Sequence, residues 1–444
     1  MIGESKVRLL IVMSVAALLA GCATYISPLT EVAPKEAVCP SGVPAGVKCF
    51  RGRDSANSHY LIAVPQKWSG VLVVHAHGGP VLGDPPASRA DEDIRRWAIT
   101  LSEGHAWASS VFRQGGFAVT TAAEDTERIR QIFIHYIARP RVTLLHGQSW
   151  GTMVAARAAE LYPNSWGGLL LTSSVIAGPT TYDFRLDLRA VYQHLCGNHP
   201  RPTEAQYPLS IGLPAGVKMS AQELASRADE CLGIGKPATQ RTAEQLKKIK
   251  TIVDVIRIPE ASILGHLTWG TISLQDVVSK TGGASPFGNH SVRYQGSDDD
   301  NGLNAALNAK GLRFKADPMA ARAFAADVDY AGRFRVPVLT THGINDSTVF
   351  VEGNDTLRQR MERHGVGANL VQTFVDSREH SYLGDPIYPP LFEALLKWVE
   401  QGIKPTPLGI ANRCKEMAMQ QQINLCRFAP DYAPRPLASR IAPR

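Results

Sequence analysis

Residues 141–151, RVTLLHGQSWG, carry the pattern that decides the fold. The apolar run at 141–147 predicts a β-strand, and the small residues between Trp150 and about Tyr162 predict a helix. The G-x-S-x-G sequence at 147–151 joins the two. Its glycines allow a sharp turn, which would lift the Ser149 hydroxyl above the end of the strand and leave the Trp150 N–H at the amino end of the helix. Ser149 is therefore the candidate nucleophile, and the Trp150 N–H is a candidate donor to an oxyanion.

The segments around this turn alternate strand-like and helix-like patterns. Strand-like runs lie at 59–65, 71–79, 105–112, 141–147, 167–175, 336–343 and 368–375. The alternation predicts the α/β class with a mostly parallel, doubly wound sheet, whose two parts are residues 58–176 and 336–402. Residues 177–335 lose the alternation and contain helix-like segments interrupted by Gly and Pro. We expect them to form a large, mainly helical cap insertion over the carboxyl edge of the sheet.

A nucleophilic serine needs a base, and the base needs a group that fixes its tautomer. His380 follows the last predicted strand, and Asp346 follows the strand at 336–343. The order Ser149, Asp346, His380 is the order expected for a serine hydrolase built on this kind of sheet. Asp376 and Asp329 are rival acids, but Asp346 follows a strand end directly and is the preferred candidate.

A second oxyanion donor is expected in the sequence His77-Gly78-Gly79-Pro80, directly after VLVVHA at 71–76. Its glycine turn would lie at the same sheet edge as Ser149, so the Gly79 N–H is the candidate. His77 itself is expected to order this loop rather than to act as a second base.

Together these motifs resemble the α/β-hydrolase superfamily of serine hydrolases, over about 58–176 and 336–400. HGGP and GQSWG are close to the HGGPG and GxSWG motifs of its prolyl iminopeptidase branch, although Val81 replaces that branch's final glycine. The branch's acidic residues for a substrate amino terminus do not map onto this cap. The resemblance implies an α/β-hydrolase fold. It also implies the following roles: nucleophile Ser149, acid Asp346, base His380, and oxyanion donors Gly79 and Trp150.

The expected activity is hydrolysis of a carboxylic ester through an acyl-serine intermediate, a reaction that needs no cofactor. A prolyl iminopeptidase-like exopeptidase that acts on peptides is one alternative. A non-catalytic lipoprotein that binds an envelope partner is another.

The amino-terminal segment predicts export. Residues 1–21 combine a short basic region with an apolar run at 9–20, which is too short to cross a membrane and is typical of a signal peptide. The sequence Leu19-Ala20-Gly21-Cys22 resembles the bacterial lipobox, which implies cleavage before Cys22 and its acylation. We therefore expect a chain that is anchored in a lipid bilayer of the bacterial envelope, with the outer membrane favoured. Residues 22–57 would be an N-terminal linker or extension.

Six cysteines remain after Cys22 is assigned to lipid, and an even number in an exported chain indicates disulfides. They lie as three local pairs, which favours the pairing Cys39–Cys49, Cys196–Cys231 and Cys414–Cys426. Zinc is the rival interpretation, but the spacings typical of zinc ligands are absent from the sequence. No metal site is predicted.

The formal charge of +7 lies mainly at the carboxyl end. Residues 401–444 hold seven basic and two acidic residues, or +5, so the body is nearly neutral and shows no basic stripe for nucleic acid. Residues 403–444 would form a cysteine-stapled extension with a basic tail. Its end, APDYAPRPLASRIAPR, is expected to be loose and solvated.

Two features of the cap have competing interpretations. The acidic run at 297–302 suggests calcium, but its spacing misses the EF-hand pattern and a solvated loop is favoured. Trp269, His266, Tyr294 and Phe287 could line an aromatic or acyl pocket, although packing in the core is the more common role for each.

Overall fold

The computed structural model describes residues 31–421 and 426–444. A nine-stranded sheet with the order β1-β2-β3-β5-β4-β6-β7-β8-β9 forms its centre. The strands are β1 (Lys35–Ala37), β2 (Lys48–Arg53), β3 (His59–Val64), β4 (Val71–Ala76), β5 (Ala106–Ser110), β6 (Val142–Gln148), β7 (Gly168–Thr172), β8 (Val338–Gly343) and β9 (Leu370–Val375).

The six strands from β5 to β9 in this order are parallel, and β1, β2 and β3 join them antiparallel to their neighbours. Strands β4 to β8 are buried along most of their length, which fits their continuous apolar runs because helices cover both faces of a parallel sheet. The core helices are α1 (Arg89–Arg96), α2 (Ala98–Ser102), α3 (Val119–Tyr136), α4 (Gly151–Leu161), α12 (Gly353–Arg363), α13 (Tyr388–Gln401) and α14 (Pro407–Gln421). The predicted α/β-hydrolase fold with a mostly parallel sheet is confirmed.

The amino-terminal extension differs from the prediction, because part of residues 22–57 belongs to the sheet. β2 pairs with β3 along its whole length, from Lys48 opposite Val64 to Arg53 opposite His59. Both added strands carry charged side chains and lack apolar alternation, so their sequences give no strand signal. The Cys39–Cys49 disulfide joins the loop before β2 to that strand, with a Cα–Cα distance of 5.2 Å.

The segment between β7 and β8 forms the helical cap. Its helices are α5 (Phe184–Cys196), α6 (Ala221–Leu232), α7 (Ala243–Ile256), α8 (Ile263–Thr268), α9 (Leu274–Lys280), α10 (Asp300–Ala309) and α11 (Pro318–Val328). A π-helical turn, Trp269–Ser273, connects α8 to α9. The cap has an apolar core of its own, which includes Leu188, Leu224 and Ile252. The Cys196–Cys231 disulfide links the end of α5 to α6.

The third disulfide, Cys414–Cys426, connects α14 to the carboxyl-terminal segment. That segment is not loose, contrary to the expectation from its composition. Phe428 forms an antiparallel bridge to Val375 of β9, and the Ala429 N–H donates to the Phe374 carbonyl at 2.8 Å. The segment thus begins by pairing with the edge of the sheet.

The end of this segment binds acidic residues of the core and the cap. Arg440 donates to Glu352 at 3.0 Å, and Arg444 binds the Asp187 carboxylate through two nitrogens at 3.0 and 2.6 Å. Ile441, between them, is buried in the apolar core of the cap. The basic residues of the tail therefore serve as partners of buried carboxylates, which a charge count along the sequence does not show.

The signal segment and Cys22 lie outside the described residues, so their predicted roles stay predictions. Within residues 31–421 and 426–444, no helix combines the length and the apolar character that a membrane crossing requires.

Candidate active site

The carboxyl edge of the parallel strands brings together the loops that the sequence singled out. Ser149 follows β6 and has a φ of +54°, the left-handed backbone of a sharp strand-to-helix turn. Two glycines make room for it. A Cβ on Gly147 would lie 2.7 Å from the Gly151 carbonyl oxygen, and a Cβ on Gly151 would collide with the Ala76 carbonyl of β4. The G-x-S-x-G pattern is thus required by the close approach of β4, β6 and α4.

The structure places Ser149, His380 and Asp346 in one hydrogen-bonded row. Ser149 Oγ lies 2.7 Å from His380 Nε2, and His380 Nδ1 lies 2.7 Å from Asp346 Oδ2. Ser149 and Asp346 are buried, whereas 19% of the His380 side chain is exposed. The row can pass a proton from a serine hydroxyl to an imidazole that a carboxylate orients.

The surroundings of Asp346 favour its charged form. Its Oδ1 accepts the backbone N–H groups of Thr348 at 2.8 Å and Val349 at 3.0 Å. Burial opposes ionisation, but hydrogen bonds from His342 and His380 outweigh it and hold the pKa of Asp346 well below its usual range.

His342 is a second histidine at this carboxylate, and the sequence analysis missed it. It lies at the end of β8, is fully buried, and its Nε2 is 3.5 Å from Asp346 Oδ2. Its Nδ1 accepts the Ser174 N–H at 3.0 Å, so Nε2 carries the proton and faces the carboxylate and the Val349 carbonyl. The only available signal was its place four residues before Asp346.

The two expected oxyanion donors lie in different loops, Trp150 at the start of α4 and Gly79 after β4. The Trp150 N–H is at the amino end of α4, where the first N–H groups have no acceptor within the helix. Gly79 is exposed in the loop after β4, whereas the neighbouring Gly78 is buried. The Gly78 N–H donates to Gln148 Oε1 at 3.1 Å and is therefore occupied.

Gln148 is a further residue that the sequence analysis missed. It precedes Ser149, is 1% exposed, and connects the two loops that flank the site. Its Oε1 accepts from Gly78, and its Nε2 donates to Ser381 Oγ at 2.9 Å, directly after His380. One amide thus ties the glycine loop to the histidine loop.

The rival acids lie elsewhere. Asp376 is exposed and accepts a hydrogen bond from Asn345 at 3.3 Å, and Asp329 is paired with Arg360. His77 is buried, and its Nδ1 lies 2.7 Å from the Gly78 carbonyl. Burial lowers the pKa of His77 to about 4, which suits a neutral, loop-ordering ring.

The four aromatic cap candidates divide into two groups. Trp269 stacks on Tyr182 at 4.8 Å, and the Phe287 ring lies 6.1 Å from that of Trp269. His266 lies beside the loop that follows Asp346, where it forms a hydrogen bond with the Ser347 backbone. The Tyr294 hydroxyl instead donates to Asp187 at 2.8 Å and belongs to the buried network of the carboxyl-terminal tail.

The acidic run at 297–302 serves the helix that follows it. Asp299 caps α10 by accepting the Gly302 N–H, and Asp300 accepts hydrogen bonds from Ser297 at 2.8 Å. In the part of the chain that the structure describes, no three His, Cys, Asp or Glu side chains converge in an arrangement suited to a metal ion.

No protein-family model and no curated protein matches the sequence. Among solved structures, the chain is similar to feruloyl esterase B from Aspergillus oryzae, with 13% identity and a TM-score of 0.39 over 85% of this chain and 87% of that one. A rice cell wall degrading esterase, LipA from Xanthomonas oryzae, shows 12% identity and a TM-score of 0.33 over 74% and 82% of the two chains. The fold assignment rests on the strand order and the turn at Ser149.

Proposed function

We propose that the protein is a serine hydrolase that cleaves carboxylic esters through an acyl-Ser149 intermediate. The observation that carries the proposal is the row from Ser149 through His380 to Asp346, at 2.7 Å for each contact. In most serine residues the hydroxyl is a weak nucleophile, and a base in direct contact with it is the arrangement that activates it.

The mechanism follows from the position of each group. His380 Nε2 takes the Ser149 proton as Oγ attacks the ester carbonyl, and Asp346 stabilises the imidazolium through Nδ1. The Gly79 and Trp150 N–H groups donate hydrogen bonds to the carbonyl oxygen and stabilise the negative charge that develops on it. His380 then returns the proton to the leaving alcohol, and water activated by the same ring releases the acid from Ser149.

Labelling with a fluorophosphonate tests this proposal, because the reagent phosphonylates an activated serine. We expect wild type to be labelled and to hydrolyse 4-nitrophenyl esters, and Ser149→Ala to lose both. Ser173→Ala is the matched control, because Ser173 also has a positive φ, +47°, at the end of the neighbouring strand β7. Labelling that persists in Ser149→Ala would refute the assignment.

The exopeptidase alternative is separated by substrate. Comparing the same 4-nitrophenyl esters with proline and alanine aminocoumarin amides tests it directly, and faster turnover of the amides would favour an iminopeptidase. An inactive protein across both panels would favour the non-catalytic binding role.

We also propose that the chain is exported and anchored through an acylated Cys22. The lipobox-like sequence at 19–22 and three disulfides support this, because disulfides persist in oxidising compartments. Incorporation of a labelled fatty acid into wild type, and its loss in Cys22→Ala, is the expected result. Failure of the wild-type chain to take up the label would contradict the anchor.

A further inference from the structure

Arg185, the second residue of α5, is a buried cation without an ion-pair partner in the described part of the chain. The residue is 6% exposed, and its Nη1 donates to the Thr181 carbonyl at 2.8 Å. Its buried Nε and its Nη2 have no hydrogen-bond partner among the described residues. These two nitrogens form the side-on edge with which arginine binds a carboxylate through two parallel hydrogen bonds.

Three aromatic rings hold this guanidinium in place. The Arg185 Cζ atom lies 5.0 Å from the ring centroid of Tyr182 and 4.8 Å from those of Phe184 and Trp269. Such rings attract a cation, but they supply no oxygen or nitrogen acceptor for its N–H groups. Burial lowers the pKa of Arg185 to about 10, so the side chain remains charged at neutral pH.

The rings of Tyr182, Phe184 and Trp269, called the Arg185 cage below, lie next to the candidate active site on the Trp150 side. The Phe117 ring is 6.3 Å from the Trp150 ring and 5.6 Å from the Trp269 ring, and each pair meets edge to face. One aromatic residue therefore separates Trp150, which follows the nucleophile, from the rings that enclose Arg185. Trp269 also begins the π-helical turn, a feature that frequently marks functional sites.

The cage reaches the site from the Asp346 side as well. His266 packs edge-on against Phe184 at 4.8 Å and forms a hydrogen bond with the Ser347 backbone, directly after Asp346. Burial lowers the pKa of His266 well below its usual value, and the nearby charge of Arg185 lowers it further. The imidazole is thus neutral and does not compete with Arg185 for an anion.

We propose that Arg185 binds a carboxylate of the substrate and thereby selects esters that carry a second, free carboxylate group. The inference rests on the ester hydrolase function proposed above and narrows its substrate class. The carboxylate would occupy the Nε and Nη2 edge, and the aromatic cage would shield the pair from water. An ammonium group would be repelled at the same place, which argues against a substrate with a free amino terminus.

Two pairs of esters test the proposal with the full chain. The first pair is the 4-nitrophenyl monoester of adipic acid and its methyl-capped diester, which place or remove a charge on the acyl side. The second pair is 4-acetoxybenzoate and its methyl ester, which do the same on the alcohol side. We expect wild type to prefer the anion of at least one pair by about tenfold or more in kcat/KM, as a charge-assisted bond contributes in this range.

Variants then assign the preference to Arg185. Arg185→Gln should bring the ratio of kcat/KM for anion and neutral ester close to one. Arg185→Lys keeps the charge but cannot form two parallel hydrogen bonds, so it should retain part of the preference for the anion. This variant provides the test if Arg185→Gln does not fold. Equal rates on both members of each pair in wild type would overturn the role of Arg185 alone. Hydrolysis of none of the four esters would refute the hydrolase function as well.

Arg189 provides the matched control, one turn further along α5. It is fully buried, but its Nη1 donates to the carbonyls of Leu209 and Gly270 at 3.1 Å, and its Nη2 donates to the Tyr207 hydroxyl at 3.0 Å. Arg189→Gln should lower stability without changing the preference for the anion. A loss of preference in Arg189→Gln equal to that in Arg185→Gln would show a general disturbance of the cap and would overturn the proposal.

Discussion

Replacing Gln148 by leucine should slow the proposed ester hydrolysis, although the Gln148 amide takes no part in the proposed chemistry. The side chain is 1% exposed and holds the glycine loop through Gly78 and the histidine loop through Ser381. Leucine has a similar volume and keeps the packing, but it can make neither bond. We expect the loops that carry Gly79 and His380 to lose their fixed positions.

The size of the effect can be estimated from the two hydrogen bonds. Each contributes about 0.5–1.5 kcal/mol, so losing both removes roughly 1–3 kcal/mol. At about 1.4 kcal/mol per tenfold change in rate, kcat/KM for a 4-nitrophenyl ester should fall between about fivefold and a little over a hundredfold. Ser381→Ala removes only one bond, and its kcat/KM should fall between about twofold and tenfold.

The assay must separate a positioning role from a purely structural one. We would measure kcat/KM, the rate constant for fluorophosphonate labelling of Ser149, and the free energy of unfolding for Gln148→Leu and Ser381→Ala. A positioning role predicts that labelling and turnover slow together, with the larger effect in Gln148→Leu. If the free energy of unfolding falls while both rates stay within about twofold of wild type, Gln148 only stabilises the fold and its positioning role is refuted.

Three further outcomes follow from the structure. Burial lowers the pKa of His146 to about 3, so the unfolded state binds the extra proton and the free energy of unfolding should fall as the pH drops below about 6.5, by up to about 1.4 kcal/mol per pH unit for this group. Between pH 7 and 4, the free energy of unfolding of His146→Asn, measured with denaturant, should depend less steeply on pH than that of wild type. The same pH dependence in both proteins would contradict this. Arg444→Gln leaves the buried carboxylate of Asp187 without its main partner and should lower the free energy of unfolding in urea by on the order of 3 kcal/mol. A double-mutant cycle with Asp187→Asn that shows no coupling energy would contradict the pairing. Replacing Cys196 and Cys231 by serine removes a disulfide that spans 35 positions, and it should lower the free energy of unfolding by roughly 4 kcal/mol. The melting temperature should fall accordingly. Only a small change would show that the two thiols are not joined.

The sequence predicted the parts of the site that follow strand ends. Ser149, Asp346 and His380 each lie in a loop after a parallel strand, and such loops meet at one edge of the sheet, so their proximity follows from chain order. Gln148 and His342 could not be predicted in the same way. Their roles depend on which way a buried polar side chain turns between two loops, and the pattern of apolar residues carries no information on that.

The two ends of the described chain are the parts whose structure the sequence predicts least well. β1 and β2 lie in the segment that is predicted to be a linker or extension. Their charged side chains lack alternation, and backbone pairing of β1 with β2 and of β2 with β3 holds them in the sheet. The carboxyl-terminal tail was expected to be solvated because it is rich in proline and arginine. Its arginines instead bind Glu352 and Asp187, which are distant in sequence, and only tertiary structure reveals those partners.

The docking of the tail on the cap sets an order of events during synthesis of the chain. Asp187 and Arg444 are 257 positions apart, so the cap stays without this partner until the ribosome has added the intervening residues. At about 5–20 residues per second this takes roughly 10–50 s. For that time a nascent cap would carry the Asp187 carboxylate without its arginine partner and an apolar core that lacks Ile441, and it would need protection from aggregation. A purification tag fused directly after Arg444 would hinder the docking of the tail on the cap, so a tag is better placed elsewhere in a recombinant chain.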